Sequence, residues 1–499
     1  MGNFDGILSG LQLALSIEGI LFVLLGVMAG TFIGMMPGLG PISAIAIMIP
    51  LTYSMDPTIA LVLMAGVYYG AVFGGSTSSI LLNAPGIAGT VATSFDGYPM
   101  AQKGQAGKAL AIAAIASFTG GTVSVVLLML FAPLLSSVAI VFGPPEYFAL
   151  MILGLTAISS LSDGSTVKAL IAAVVGIMAV TIGIDSQTGT ARFTFNNPNL
   201  LEGIDFLVVA LGLFALAEIC NLIINRKDKI KGNENIGSLK LSKDDYKEMA
   251  GPMTRQSFLG FLLGVLPGAG ATIASFIGYI TEKKIAKNPE EWGKGSVKGI
   301  AAPETANNAA TSGAFVPLLS LGIPGSGTTA VLLGALLVLD VQPGPLLITD
   351  RPELFWGVII SMYVGNIFLL VLNLPLIPYI AKVLAIPRPL LISLVIMFSM
   401  IGVYSISFNT FDLYMLLAFG VLGYFMRLFS FPAAPLILAF ILGGMMENSF
   451  RQSMTIANND LSIFFTRPIA VSLLGVALLA FVVPLWQAMR SRRKSKMSS

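Results

Sequence analysis

The chain has 499 residues, of which 55% are hydrophobic and only 11% charged, with a formal net charge of +3. A soluble domain carries about 25% charged residues, so this composition describes a polytopic membrane protein with no room for a separate soluble domain. Histidine is absent and cysteine occurs once, at Cys220, which excludes HExxH metalloenzymes, Ser-His hydrolases, an intrachain disulfide and a cysteine-rich metal site.

The N-terminus, MGNFDGILSG, lacks the basic region of a signal peptide, so the first apolar run is expected to stay in the mature chain. A spanning helix needs about 20 apolar residues. The candidate spans or part-spans are 11–36, 58–82, 109–135, 146–161, 167–184 and 204–224, then 258–280, 309–339, 353–384, 390–406, 413–429, 435–446 and 468–489. Several are short or interrupted, giving about 10 to 13 crossings. Residues 1–225 form a first transmembrane half, 226–256 a charged loop, 257–489 a second half and 490–499 a basic tail.

Basic residues in short loops mark the cytoplasmic side. The segment 225–256 carries eight Lys and Arg, from Arg226 to Arg255, and the tail carries Arg490, Arg492, Arg493, Lys494 and Lys496. The segment 281–298 is basic too, with Lys283, Lys284, Lys287, Lys294 and Lys298. Two basic segments thus flank 258–280, which is about one span long and broken at Leu266-Pro267-Gly268-Ala269-Gly270. With both on one side, that segment must enter and return as two half-helices; a straight span with one basic segment outside is the alternative.

An internal repeat accompanies the break. Gly30, Gly34, Pro37, Gly38 and Gly40 align without a gap on Gly260, Gly264, Pro267, Gly268 and Gly270, an offset of 230 (267 − 37). Pro85-Gly86 matches Pro324-Gly325 at an offset of 239 (324 − 85), and each is preceded by a polar patch, 74–79 and 307–312. Matching Gly/Pro-interrupted segments in two halves point to a transport site. Helix N-termini and glycine backbone suit a carboxylate. The candidate substrate-binding residues are therefore Gly38, Gly40, Ser76, Thr77, Ser78, Pro85, Gly86, Gly268, Gly270, Thr311, Ser312, Pro324, Gly325 and Ser326. Asn83, Asn307 and Asn308 offer amide oxygens to a hard cation, and Glu304 a carboxylate. Each hydroxyl has the alternative of bonding its own helix, and Glu304 that of an interfacial cap just past Lys298. Asp96 reads as a loop residue, and Arg427, Arg451 and Arg467 as anchors reaching for the membrane surface. Gly176 and Gly420, in unbroken apolar helices, are expected to tolerate alanine.

The strings YYGAVFGGSTSSILLNAPG (68–86) and APETANNAATSGAFVPLLSLGIPGSGTTA (302–330), with the PGLG and PGAG elements, resemble the large membrane subunit of tripartite tricarboxylate transporters. The resemblance covers most of the chain. It implies an all-α permease of the bacterial inner membrane, not an enzyme, without a cofactor. It also implies two partners, a small multi-span membrane subunit and an extracytoplasmic solute-binding protein that delivers citrate, another di- or tricarboxylate, or an aromatic acid. Uptake driven by a cation gradient, usually Na⁺, is part of the same implication; a channel that only equilibrates its solute is the alternative. No nucleic acid enters this reading.

Overall fold

The computed structural model describes residues 3–36, 39–161, 165–185, 187–224, 236–268, 270–382 and 388–497. Helices dominate. The first half holds α1 (Asn3–Ala14), α2 (Ile17–Met35), α3 (Gly40–Thr52), α4 (Pro57–Leu82), α5 (Val91–Met100), α6 (Ala106–Ala139), α7 (Pro144–Leu161) and α8 (Thr166–Val180). A two-residue antiparallel pair, β1 (Gly183–Ile184) with β2 (Ala191–Arg192), precedes α9 (Phe206–Ala210) and α10 (Ala217–Ile224), which are joined through π-helical Leu211–Leu216.

The second half holds α11 (Lys243–Val265), α12 (Gly270–Ile285), α13 (Val297–Gly313), α14 (Phe315–Leu321), α15 (Gly327–Val338), the short α16 (Leu347–Asp350) and α17 (Pro352–Asn373). Then come α18 (Ile377–Ile380), α19 (Arg388–Ser407), α20 (Thr410–Leu428), α21 (Ala433–Ile456), α22 (Ile463–Thr466) and α23 (Pro468–Met497). Among the described residues six helices are long and apolar enough to cross a bilayer. Shorter apolar helices, α3, α8 and α15 among them, lie beside these six, and the chain is an all-α polytopic membrane protein with broken helices.

Boundaries differ from the sequence reading where polar residues cap or extend a helix. The stretch 11–36 divides at Ser16, whose hydroxyl accepts from Gly19 N at 2.9 Å and starts a new helix. The charged stretch is helical from Lys243 onward, nucleated by a capping box between Ser242 and Asp245. Lys243, Lys247 and Arg255 therefore sit on α11 rather than in a loop, while Arg226, Lys227, Lys229 and Lys231 lie outside the described residues.

The break at 266–269 reverses the chain. Arg255 of α11 pairs with Glu282 of α12 at 2.6 Å and Gln256 Nε2 donates to the same carboxylate at 2.8 Å, so the two arms lie side by side and antiparallel. This is the expected hairpin of two half-helices.

The packing repeats at the offsets read from the sequence. A methyl group on Gly30 or Gly34 would fall on the carbonyl of Val67 or Ala71 in α4; on Gly260 or Gly264 it would fall on that of Ala306 or Ala310 in α13. The glycines shift by 230 (264 − 34) and their partners by 239 (310 − 71). Asn83 and Gly322, again 239 apart, both end a helix in the left-handed conformation, at φ 51° and 70°.

The equivalent helices α4 and α13 run antiparallel. Tyr69 of α4 donates to Ser312 of α13 at 3.0 Å, and Ser76, further along α4, donates to Glu304, earlier in α13, at 2.8 Å. α4 is apolar or small on every side and buried along its length, as a helix at the centre of a bundle must be.

Asp96 is not a loop residue. It lies fully buried in α5, and its Oδ1 accepts from the backbone N–H of Gly293, Gly295 and Ser296 at 2.7–2.9 Å while Oδ2 accepts from Tyr279 at 2.9 Å. A carboxylate of the first half thereby organises the segment that leads into α13.

Candidate functional site

The starts of α3 and α12, with the Pro85-Gly86 and Ser326-Gly327 segments, meet around a cavity of about 640 Å³. Its wall is built from 39–43 and 85–89 of the first half, and from Gly268, 270–273 and 326–328 of the second. Three helices begin there. α3 starts at Gly40 and α12 at Gly270, both at φ +60°, a left-handed conformation that glycine adopts without strain. α15 starts at Gly327 behind Ser326, whose hydroxyl accepts from Thr329 N at 3.3 Å in a capping box. Free amides and the positive ends of three helix dipoles thus converge on one space, an environment for an anion.

The cavity also holds two charged side chains absent from the sequence candidates, Glu218 of α10 and Arg427 of α20, which form an ion pair with each other. Arg427 is therefore not a surface anchor. Arg451 and Arg467 are not free anchors either. Arg451 pairs with Asp185 at 2.8 Å and Arg467 with Glu146 at 3.5 Å. The Arg451 guanidinium, with two backbone N–H groups, holds the Asp185 carboxyl below the usual carboxylate range.

A second polar centre lies away from the cavity wall. Glu304 is 0% exposed, and its carboxylate accepts from Thr93 of α5 at 2.5 Å, Ser76 of α4 at 2.8 Å and Ser117 of α6 at 2.8 Å. That rules out the interfacial cap. Ser76, Thr77, Ser117 and Asn373 line a cavity of about 10 Å³, the room of roughly one water-sized sphere. One turn along α13, Asn307 is fully buried with neither amide atom hydrogen-bonded among the described residues, and Asn308 leaves its Oδ1 unpartnered. Buried polar groups are rarely left so.

The sequence candidates separate into three groups. Gly40, Pro85, Gly86, Gly268, Gly270 and Ser326 line the large cavity. Pro324 and Gly325 lie just behind it, with the Gly325 carbonyl accepting from Gly268 N at 2.9 Å. Ser76, Thr77, Ser78, Thr311 and Ser312 are buried in α4 and α13: Ser76 serves Glu304, whereas Ser78, Thr311 and Ser312 donate to their own helix backbone. Gly38 lies outside the described residues. Asn83 does not join Glu304, Asn307 and Asn308 in the interior; it is exposed, and its residue type is explained by the left-handed turn it makes. The sequence reading missed Thr93 and Ser117, one hydroxyl each on helices rich in small residues. It also missed Glu218 as the acid opposite Arg427, although opposite charges inside two apolar helices are a signal in themselves.

The model of the tripartite tricarboxylate transporter TctA family matches residues 20–438. The chain belongs to that family. It is 45% identical over 484 residues, 97% of its own length and 96% of the relative's, to an uncharacterized 52.8 kDa protein of the TAR-I ttuC′ 3′ region of Agrobacterium vitis. An uncharacterized protein of the TAR-II ttuC′ 3′ region of the same organism is 46% identical over 234 residues, 47% of this chain and 97% of the relative. No solved structure gives a significant match. Membership makes the chain a permease component of the TctA kind, a multi-pass membrane protein, and the 20–438 match takes in every residue that lines the cavity.

Proposed function

We propose that this chain is the permease of a binding-protein-dependent importer that moves an organic carboxylate by symport with a cation, Na⁺. The carboxylate is a tricarboxylate such as citrate, or a related di- or aromatic acid. The observation that carries the reading is the cavity at which equivalent elements of both halves present helix N-termini to one space. Residues 1–225 and 257–489 act as inverted repeats, and the substrate sits between them. The basic segments and the tail face the cytoplasm of a bacterial inner membrane. A small multi-span subunit and an extracytoplasmic solute-binding protein complete the system.

The cation is assigned to the oxygens around Glu304. Its carboxylate, the hydroxyls of Ser76, Thr93 and Ser117 and the amide oxygens of Asn307 and Asn308 form an oxygen-only set suited to a hard cation. Buried amide oxygens without a partner support that use. The test is uptake of labelled citrate, succinate and benzoate into liposomes holding the permease, its small subunit and the binding protein. Accumulation above equilibrium that follows an imposed Na⁺ gradient is expected. Equilibration alone, indifferent to Na⁺, means a channel.

A further inference from the structure

We propose that Arg427 takes the carboxylate of the transported anion, and that Glu218 is the partner the anion releases it from. The inference rests on the cavity as a carboxylate path and adds the counter-ion to it. Arg427 lies in the last turn of α20 and Glu218 in the first turn of α10, and the two helices pack on each other. Their ion pair stands on the cavity wall.

The pair is lopsided. The Glu218 side chain is 5% exposed, whereas 48% of the Arg427 side chain is open. Asn221 donates to Glu218 Oε1 at 3.3 Å, so the carboxylate is held from behind as well as by the guanidinium. A guanidinium carries five N–H donors in a planar fork, and one carboxylate uses only part of it. The open edge is left for a second acceptor.

The rest of the wall needs such a group. Helix N-termini offer amides and partial charge, but a carboxylate leaving water requires a full counter-charge nearby. Arg427 is that charge. An anchor at the membrane surface accounts for the exposure of Arg427, but not for a buried acid aimed at it inside a cavity. Glu218 keeps the guanidinium oriented between transport events, and the anion competes with it for the same N–H groups.

The experiment uses the purified full-length chain in detergent, with citrate, succinate and benzoate as probes and binding followed by calorimetry. Wild type is expected to bind at least one probe. Arg427→Gln should weaken that binding about ten- to hundredfold, the scale of a lost charge-assisted contact. Arg427→Lys should fall between, because lysine keeps the charge but not the fork. Glu218→Gln removes the internal competitor and should tighten binding several-fold, which a purely structural pair would not do. Arg427→Gln with wild-type affinity overturns the proposal, as does Glu218→Gln that weakens binding in step with it. Should Arg427→Gln fail to stay monodisperse, Glu218→Gln decides: tighter binding supports the proposal, unchanged or weaker binding overturns it. A wild type that binds none of the probes removes the carboxylate reading of the cavity, and this inference with it.

Discussion

Replacing Glu304 by glutamine separates a structural carboxylate from a coupling one. Three hydroxyls from three helices donate to Glu304 at 2.5–2.8 Å. A hydrogen bond to a charged group contributes about 1.5–3 kcal/mol, roughly twice a neutral one. Glu304→Gln weakens all three but abolishes the cost of burying a charge: Ser76 and Ser117, which share one carboxylate oxygen, can turn to accept from the amide's two N–H groups while Thr93 still donates to its oxygen. The two effects offset, and we expect stability to shift by only about 1 kcal/mol. Ser117→Ala is the complementary change. It keeps the charge and deletes a donor, costing about 1.5–3 kcal/mol. Thermal unfolding of the purified chain should therefore rank Ser117→Ala as the less stable variant. Uptake should rank them the other way: Glu304→Gln loses its response to Na⁺, while Ser117→Ala retains it at a raised half-saturating concentration. Glu304→Gln that transports with the wild-type Na⁺ dependence refutes the coupling role and leaves a polar knot of the fold.

Three further outcomes are expected. Gly86→Ala should depress uptake strongly, because a methyl there falls on the Gly34 carbonyl and within 2.9 Å of Gly75 Cα, whereas Gly475→Ala, with nothing within 4 Å, should be silent; wild-type uptake by Gly86→Ala refutes the need for that close approach. The Asp185 carboxyl is held below its unfolded value, so it contributes stability above the ordinary carboxylate range that is lost only as pH falls through the lower folded value. Arg451→Gln should move that loss to higher pH, toward the ordinary carboxylate range, read as earlier hydrogen exchange in 187–192 on acid titration, and an unchanged profile removes the ion pair as its cause. Cysteines at Lys243 and Lys294 in a Cys220→Ser background should react with impermeant reagent from one side of the membrane only, since Lys103 Nζ donates to the Lys294 carbonyl at 2.6 Å and Gly107 N to that of Ile236 at 2.5 Å, which gathers these segments together.

What could be read without coordinates was local or periodic. PGAG between two basic segments led to the hairpin, and two shared offsets led to packing that repeats at those same offsets. What could not be read was pairing between distant helices. Nothing near Asp96 announces that it will grip backbone 197 to 200 residues further on. Glu218 and Arg427 each look like an interfacial charge until α10 and α20 are neighbours. Glycines misled in the same way. Gly176 and Gly420 look like neutral positions in plain helices, yet a methyl on Gly176 meets the Leu436 carbonyl and one on Gly420 comes within 2.9 Å of Leu216 Cβ. Gly86 and Gly325 are absent from the positive-φ glycines, and close packing is what Gly86 requires.

The two Pro-Gly elements are seated unequally. On Gly86 a methyl has no room above the Gly34 carbonyl; on Gly325 its nearest neighbour, the Gly264 carbonyl, is 3.0 Å away. On the proposal that the two halves act as inverted repeats, exchanging the tight and the loose seat between them gives the conformation open to the other side of the membrane, and a methyl at Gly86 is expected to trap one of the two by barring only one seat.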